Sequence, residues 1–121
     1  ANACAVKCNE CLAGNVSGGA LRGLDFNAGS QTCRCIYDDH ASYTGSGSCY
    51  GDGIDGYGSS SGLVTATSSD QSFVCYKISP SPSTVTVLTS SYEYVGAGYC
   101  TDSNGGYYDH VYFYSVESAN A

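Results

Sequence analysis

Eight of the 121 residues are cysteine. Thiols at that density serve either as thiolate ligands to a metal or as half-cystines. Cys4, Cys8 and Cys11 with Cys33 and Cys35 offer thiolates for zinc, but their spacing builds no pair of CxxC knuckles. Cys4, Cys8, Cys11, Cys33, Cys35, Cys49, Cys75 and Cys100 are therefore read as a disulfide framework. Gly58-Ser59-Ser60-Ser61-Gly62 matches the GxSxG pattern of a serine nucleophile. That pattern works only between a strand and a helix, and here it lies in a Gly/Ser stretch. His40 and His110 are available as bases, each beside an aspartate, yet no set of acid, base and nucleophile is legible. The chain is expected not to be an enzyme, and both histidines read as partly exposed polar residues. Asp38, Asp39, Asp52 and Asp55 stand near glycines, as flexible calcium ligands would. GDGIDGYG lacks the spacing and closing Glu of an EF-hand loop, so a solvated acidic loop is the preferred reading, with calcium as the alternative and no resident cofactor.

Four Lys and Arg face eleven Asp and Glu, a net charge of -7. Phosphate backbones and anionic membrane surfaces want a basic protein, so neither nucleic acid nor membrane is an expected partner. Neutral glycans and divalent cations remain compatible. The twelve tyrosines take the place of the missing tryptophan: buried, they fill a small core with the hydroxyl outward; exposed, they stack on sugar faces or crosslink oxidatively. The cysteines point to an oxidising compartment, hence a secreted, extracellular or cell-surface protein. The sequon Asn15-Val16-Ser17 agrees and marks Asn15 for an N-glycan. Neither a signal peptide nor a membrane span is legible, so a secreted chain is expected to be a processed or excised piece.

The elements that would position these residues follow from pattern. Residues 3–12 (ACAVKCNECL) predict a short helix whose Cys4, Cys8 and Cys11 share one face. Residues 20–26 predict a buried strand interrupted at Gly23, NAGSQ a turn, and residues 32–38 a second strand with Cys33 and Cys35 on one face and Arg34 on the other. Residues 38–62 read as irregular, anchored by Cys49. A strand is expected at 72–79 and another near Tyr107 to Tyr114. Residues 80–91 (PSPSTVTVLTSS) read as an O-glycosylated linker or as a linker passing into an edge strand at Thr84 to Leu88.

The chain opens with ANACAVKC and closes with SVESANA. A helix start wants Ser, Thr, Asp or Asn as its cap, and Ser118 would supply one to the helix at the other end, with Glu117 near the positive end of its dipole. If Ala119 is the Ala1 of a following unit, the period is 119 minus 1, or 118 residues.

Read in that joined order, the motifs GYCTDS (Gly98 to Ser103), YDHVYF (Tyr108 to Phe113), CAVKC (Cys4 to Cys8), ALRGLDF (Ala20 to Phe26), CRCIYDD (Cys33 to Asp39) and CYK (Cys75 to Lys77) resemble the secreted PAN/apple-like cysteine-rich domains that occur in tandem in diatoms and related stramenopile algae. His40 departs from the pattern, standing where those domains have Gly. The resemblance implies a small disulfide-rich α+β fold, a twisted antiparallel sheet with one short helix packed across it, in a chain cut out of phase with the domain. Residues 1–79 would be the main part of one domain, 80–91 the linker or edge strand, and 92–121 the opening strand and helix cap of the next. The resemblance also implies that Cys100 pairs with Cys75, here of the succeeding unit. The helix cysteines Cys4, Cys8 and Cys11 are expected to pair with Cys33, Cys35 and Cys49 in an order the residues leave open.

The expectation is a structural, glycosylated extracellular repeat that joins other copies of itself head to tail into a filament, coat or adhesive fibre, with Ser118, Tyr108, Val111 and Phe113 at the junction. The alternative is a secreted carbohydrate- or protein-binding module. An open tyrosine-lined groove with convergent polar groups would favour binding; a groove filled by the next unit would favour assembly.

Overall fold

The computed structural model describes residues 3–39, 41–54, 60–70, 72–78 and 92–119, with backbone alone for 52–54. Among these, α1 (Cys4–Leu12) is the one α-helix. The strands are β1 (Val16–Ser17), β2 (Leu21–Asn27), β3 (Thr32–Tyr37), β4 (Ser42–Tyr43), β5 (Asp52–Ile54), β6 (Ala66–Thr67), β7 (Val74–Ile78), β8 (Tyr92–Ala97), β9 (Cys100–Thr101) and β10 (Asp109–Phe113). Six of them form an antiparallel sheet in the order β5-β10-β3-β2-β7-β8, and β1-β4 and β6-β9 form two small ribbons. The fold is a small disulfide-rich α+β fold with one helix on a largely antiparallel sheet. The described residues hold no helix long and apolar enough to cross a membrane. His40, Asp55, Gly58, Ser59 and the whole 80–91 stretch lie outside the described residues.

Strand alternation divides the core. In β3 every residue is buried. Cys33 and Cys35 face α1, where Leu24, Phe26, Val111, Phe113 and the helix cysteines form one cluster. Ile36 faces the other way, into a second cluster with Val64, Cys75, Cys100 and Tyr108. The bonds are Cys4–Cys33, Cys8–Cys35, Cys11–Cys49 and Cys75–Cys100. All eight cysteines are thus paired, and none is a free thiol. The turn between β2 and β3 closes with the Ser30 N–H on the Asn27 side-chain oxygen at 3.2 Å, the local use that suits Asn to turns.

Three sequence expectations need correction. The pair Cys75–Cys100 forms inside one chain, not between successive units, because β9 lies across the face of β7. Residues 92–119, assigned above to a following domain, contribute β8 and β10 to the same sheet as β2, β3 and β7. Tyr108, Val111 and Phe113, placed above at a junction between copies, are buried in their own chain's core. Ser118 does meet the helix start, but its side chain makes no cap. Its carbonyl accepts from the Cys4 N–H at 2.7 Å and the Ala119 carbonyl from the Ala5 N–H at 2.8 Å. These are donors that a helix start leaves without intrahelical partners, and the preceding Ala3 has no side chain able to serve them. The strand Tyr92–Ala97 has no counterpart among the expected strands, since its Gly96 and Ala97 run straight into a glycine turn at Gly98.

The break in β2 falls where expected, with the register shifting between Leu21 and Gly23. A Cβ at Gly23 would lie 2.4 Å from the Tyr76 carbonyl oxygen. Gly23→Ala must therefore push β2 and β7 apart. It is expected to lower stability by about 1–3 kcal/mol, read as a lower guanidinium midpoint with little change in slope.

Candidate functional site

At the end of β10 the chain leaves a groove of about 440 Å³. One wall is α1, which contributes Lys7; another is the segment Ser48, Tyr50 and Gly51; the third is Tyr112, Phe113 and Tyr114. Cys11–Cys49 ties the second wall to α1. The Tyr43 hydroxyl, donating to the Cys49 carbonyl, supports the same segment from behind. Tyr43 in turn meets the edge of Phe113 at 6.4 Å between ring centroids. The walls are thus held by a covalent bond and by packing, so the groove is shaped before any ligand arrives.

The aromatic rings differ in exposure because β10 alternates. Phe113 points under α1 and is buried, Tyr112 is half-buried, and Tyr114, beyond the strand end, is 59% exposed. The Tyr112 and Tyr114 rings are parallel within 6° with centroids 6.0 Å apart. Tyr50, across the groove, is 72% exposed. The Lys7 ammonium lies 5.1 Å from the centre of the Phe113 ring and donates to the Ser48 carbonyl at 2.6 Å.

Behind Tyr112 lies a buried polar cluster. Asp25 and Arg34 are opposed in register across β2 and β3, on the face away from α1. They are 0% and 3% exposed, with Arg34 Nε 3.5 Å from Asp25 Oδ2 and neither atom hydrogen-bonded. Asp25 Oδ1 accepts from the Cys100 N–H at 2.7 Å. Burial pushes the Asp25 carboxyl up to about 7, against the pull of Arg34 and the Cys100 N–H. The guanidinium is covered by rings, 4.1 Å from the centre of Tyr99, 5.7 Å from Tyr112 and 5.9 Å from Phe73, faces that attract a cation. His110 Nδ1 lies 3.1 Å from Arg34 Nη2 and 3.3 Å from the Tyr108 carbonyl. Arginine can only donate, so Nδ1 accepts and the ring is neutral. Burial, then the neighbouring guanidinium, brings His110 down to about 4.

The other expected site residues are scattered. Ser60, in the middle of the GxSxG match, is buried and donates to Asp102, and among the described residues no helix follows it. His110 is buried, not partly exposed, because β10 is flanked on both sides by strands. Asp38 is already saturated. Its oxygens accept from Arg22 Nε at 2.7 Å and Nη2 at 3.1 Å, and from the N–H groups of Ala20 and Gly62, each at 2.9 Å. Burial opposes its ionisation, but these donors outweigh it and hold the carboxyl below its ordinary value. Asp39 is half-buried beside it, while the Asp52 side chain and all of Asp55 lie outside the described residues. Asn15 is half-buried just past the end of α1, its amide nitrogen donating to the Cys11 carbonyl at 2.7 Å, and is not among the residues lining the groove. A second hollow, of about 460 Å³, opens between Phe26, Val74 and Tyr76 beside Ser118; it lacks both a cation and an exposed ring.

Compared with family models, curated proteins and solved structures, the chain matches none. The likeness to PAN/apple-like domains therefore rests on the sequence motifs.

The buried pair Asp25 and His110 makes a pH prediction. Asp25 ionises near 7 when folded against an ordinary 3.8, so its contribution is full below about pH 4 and is lost as the pH rises towards 7. His110 titrates near 4 when folded against 6.5, so it weakens the fold in acid and the loss is recovered between 4 and 6.5. The two slopes oppose each other. Asp38, Asp70 and Asp102 are held below their ordinary values and matter only in stronger acid. Wild-type stability is expected to stay nearly level from pH 4.5 to 6.5. In His110→Asn it should fall with rising pH by up to about 1 kcal/mol per unit. Denaturant midpoints at four pH values check this; parallel curves for both proteins would contradict it.

Proposed function

We propose that this chain is an extracellular binding module, locked by disulfides and N-glycosylated at Asn15, whose groove takes an oligosaccharide. The observation that carries the reading is an open groove lined by Tyr50, Tyr112 and Tyr114, in which Tyr50 and Tyr114 are exposed and the Tyr112 and Tyr114 rings lie parallel. A pyranose presents a C–H face that packs on an aromatic ring and hydroxyls that need polar partners. Here rings of graded exposure stand beside the Ser48 carbonyl, the tyrosine hydroxyls and the Lys7 ammonium. Fixed walls spare the ordering cost that a loose aromatic loop would incur on binding. Four disulfides suit an oxidising compartment. The absence of tryptophan makes the chain's own tyrosine fluorescence a direct reporter of binding. Tyr50→Ala and Tyr114→Ala are each expected to weaken oligosaccharide binding by roughly 2- to 10-fold, the worth of one aromatic contact, without moving the unfolding midpoint. Binding that survives the double replacement undiminished would refute the groove as the site.

A second reading, the head-to-tail structural repeat, draws support from the contact of Ser118 and Ala119 with the start of α1. The Cys4 N–H takes a carbonyl from the tail, and the tail of another copy carries the same carbonyl. The structure closes these contacts, Cys75–Cys100 included, within one chain; exchange of residues 92–119 between copies would re-form the same contacts between molecules. Light scattering after size exclusion decides: this reading expects oligomers that persist in denaturant until the disulfides are reduced, because Cys75 and Cys100 would then join different chains. A monomer at all concentrations removes it.

A further inference from the structure

Resting on the reading of the groove as a sugar site, we infer that it selects a glycan bearing a single acidic group, a carboxylate or a sulfate ester, which pairs with Lys7. The chain has four cationic side chains, Lys7, Arg22, Arg34 and Lys77. Three are matched to carboxylates: Arg22 to Asp38 at 2.7 Å, Arg34 to Asp25 at 3.5 Å and Lys77 to Glu93 at 3.4 Å. Lys7 has no carboxylate partner among the described residues, in a chain with eleven acidic groups to choose from. It is also the cation that lines the groove, and none of the described side chains around it is acidic.

The geometry holds Lys7 ready. Of its three N–H donors one goes to the Ser48 carbonyl, which with the Phe113 ring fixes the position of the ammonium. The remaining donors serve an incoming anion without rearrangement. Tyr50 and Tyr114 line the same groove as Lys7, so a sugar held against either ring can bring its carboxylate or sulfate to the ammonium.

The net charge of -7 sets the number of acidic groups. A polyanion meets one attractive cation and a repulsive molecule, and like charges that are poorly screened oppose its approach. A largely neutral glycan with one acidic residue gains the Lys7 contact and avoids most of the repulsion. Selection is thus for isolated acidic sugars over uniformly charged chains.

The test is a glycan array carrying neutral oligosaccharides, the same backbones with one uronate, the same with one sulfate ester, and fully charged polyuronates. It is probed with wild type, Lys7→Gln and Lys7→Arg. The expected result is preference for the singly charged glycans, a loss of roughly 10-fold or more in Lys7→Gln, and retention in Lys7→Arg. The uronate and sulfate arms tell which anion is taken. Neutral glycans bound as tightly as acidic ones, or an acid preference that survives in Lys7→Gln, would overturn this inference and leave the sugar-site reading standing. Binding to no glycan on the array would overturn both. Unchanged thermal unfolding of Lys7→Gln separates loss of contact from loss of fold.

Discussion

Cys4–Cys33 and Cys8–Cys35 tie successive turns of α1 to alternate residues of β3. A nine-residue helix with no side-chain cap is too short to persist by itself, and these two bonds give it a fixed bed. They work because two periods coincide: positions four apart on a helix and two apart on a strand each return to one face. β3 is a central strand of the sheet and buried throughout, so what is fastened to it is fastened to the whole molecule. Cys11–Cys49 extends that anchorage to the segment bearing Tyr50. The shape of the groove descends from one helix face.

The opposite face of the sheet obeys a harsher constraint. Arg34 alternates with two half-cystines and must point away from them, into a layer where water does not follow. A buried guanidinium needs charge compensation and covered faces. Asp25 comes opposite it by strand register, and Tyr99, Tyr112 and Phe73 surround it. That cluster sets the place of Tyr112, and through Tyr112 the stacked Tyr114. One layer of cystine and the buried Asp25–Arg34 contact, on either side of β3, therefore converge on the same groove.

The tail illustrates how a sound local inference can assign the wrong partner. Ser118 and Ala119 do finish the start of α1, as the capping argument required, but by backbone carbonyls and within the same chain. Sequence spacing cannot distinguish a strand that returns to its own sheet from one that joins a neighbour's. Both satisfy the same hydrogen bonds, and only the path of the chain separates them. The buried state of His110 is not legible in the sequence for a related reason. An aspartate before it and tyrosines around it look like a strand edge, whereas β10 is closed on both sides by β3 and β5.

The sequence alone determined the disulfide framework, a helix read over residues 3–12, the strands around Leu24, Cys35, Cys75 and Val111, and the opposed faces of Cys33 and Arg34. Each of these follows from a periodicity or a residue chemistry that acts over a few neighbours. The order of pairing among the helix cysteines, the meeting of Asp25 with Arg34, and the convergence of Lys7, Tyr50 and Tyr114 were decided by tertiary structure. Those contacts join residues dozens of positions apart. Which of many compatible partners meet depends on sheet order and register, quantities that exist only once the chain has closed on itself.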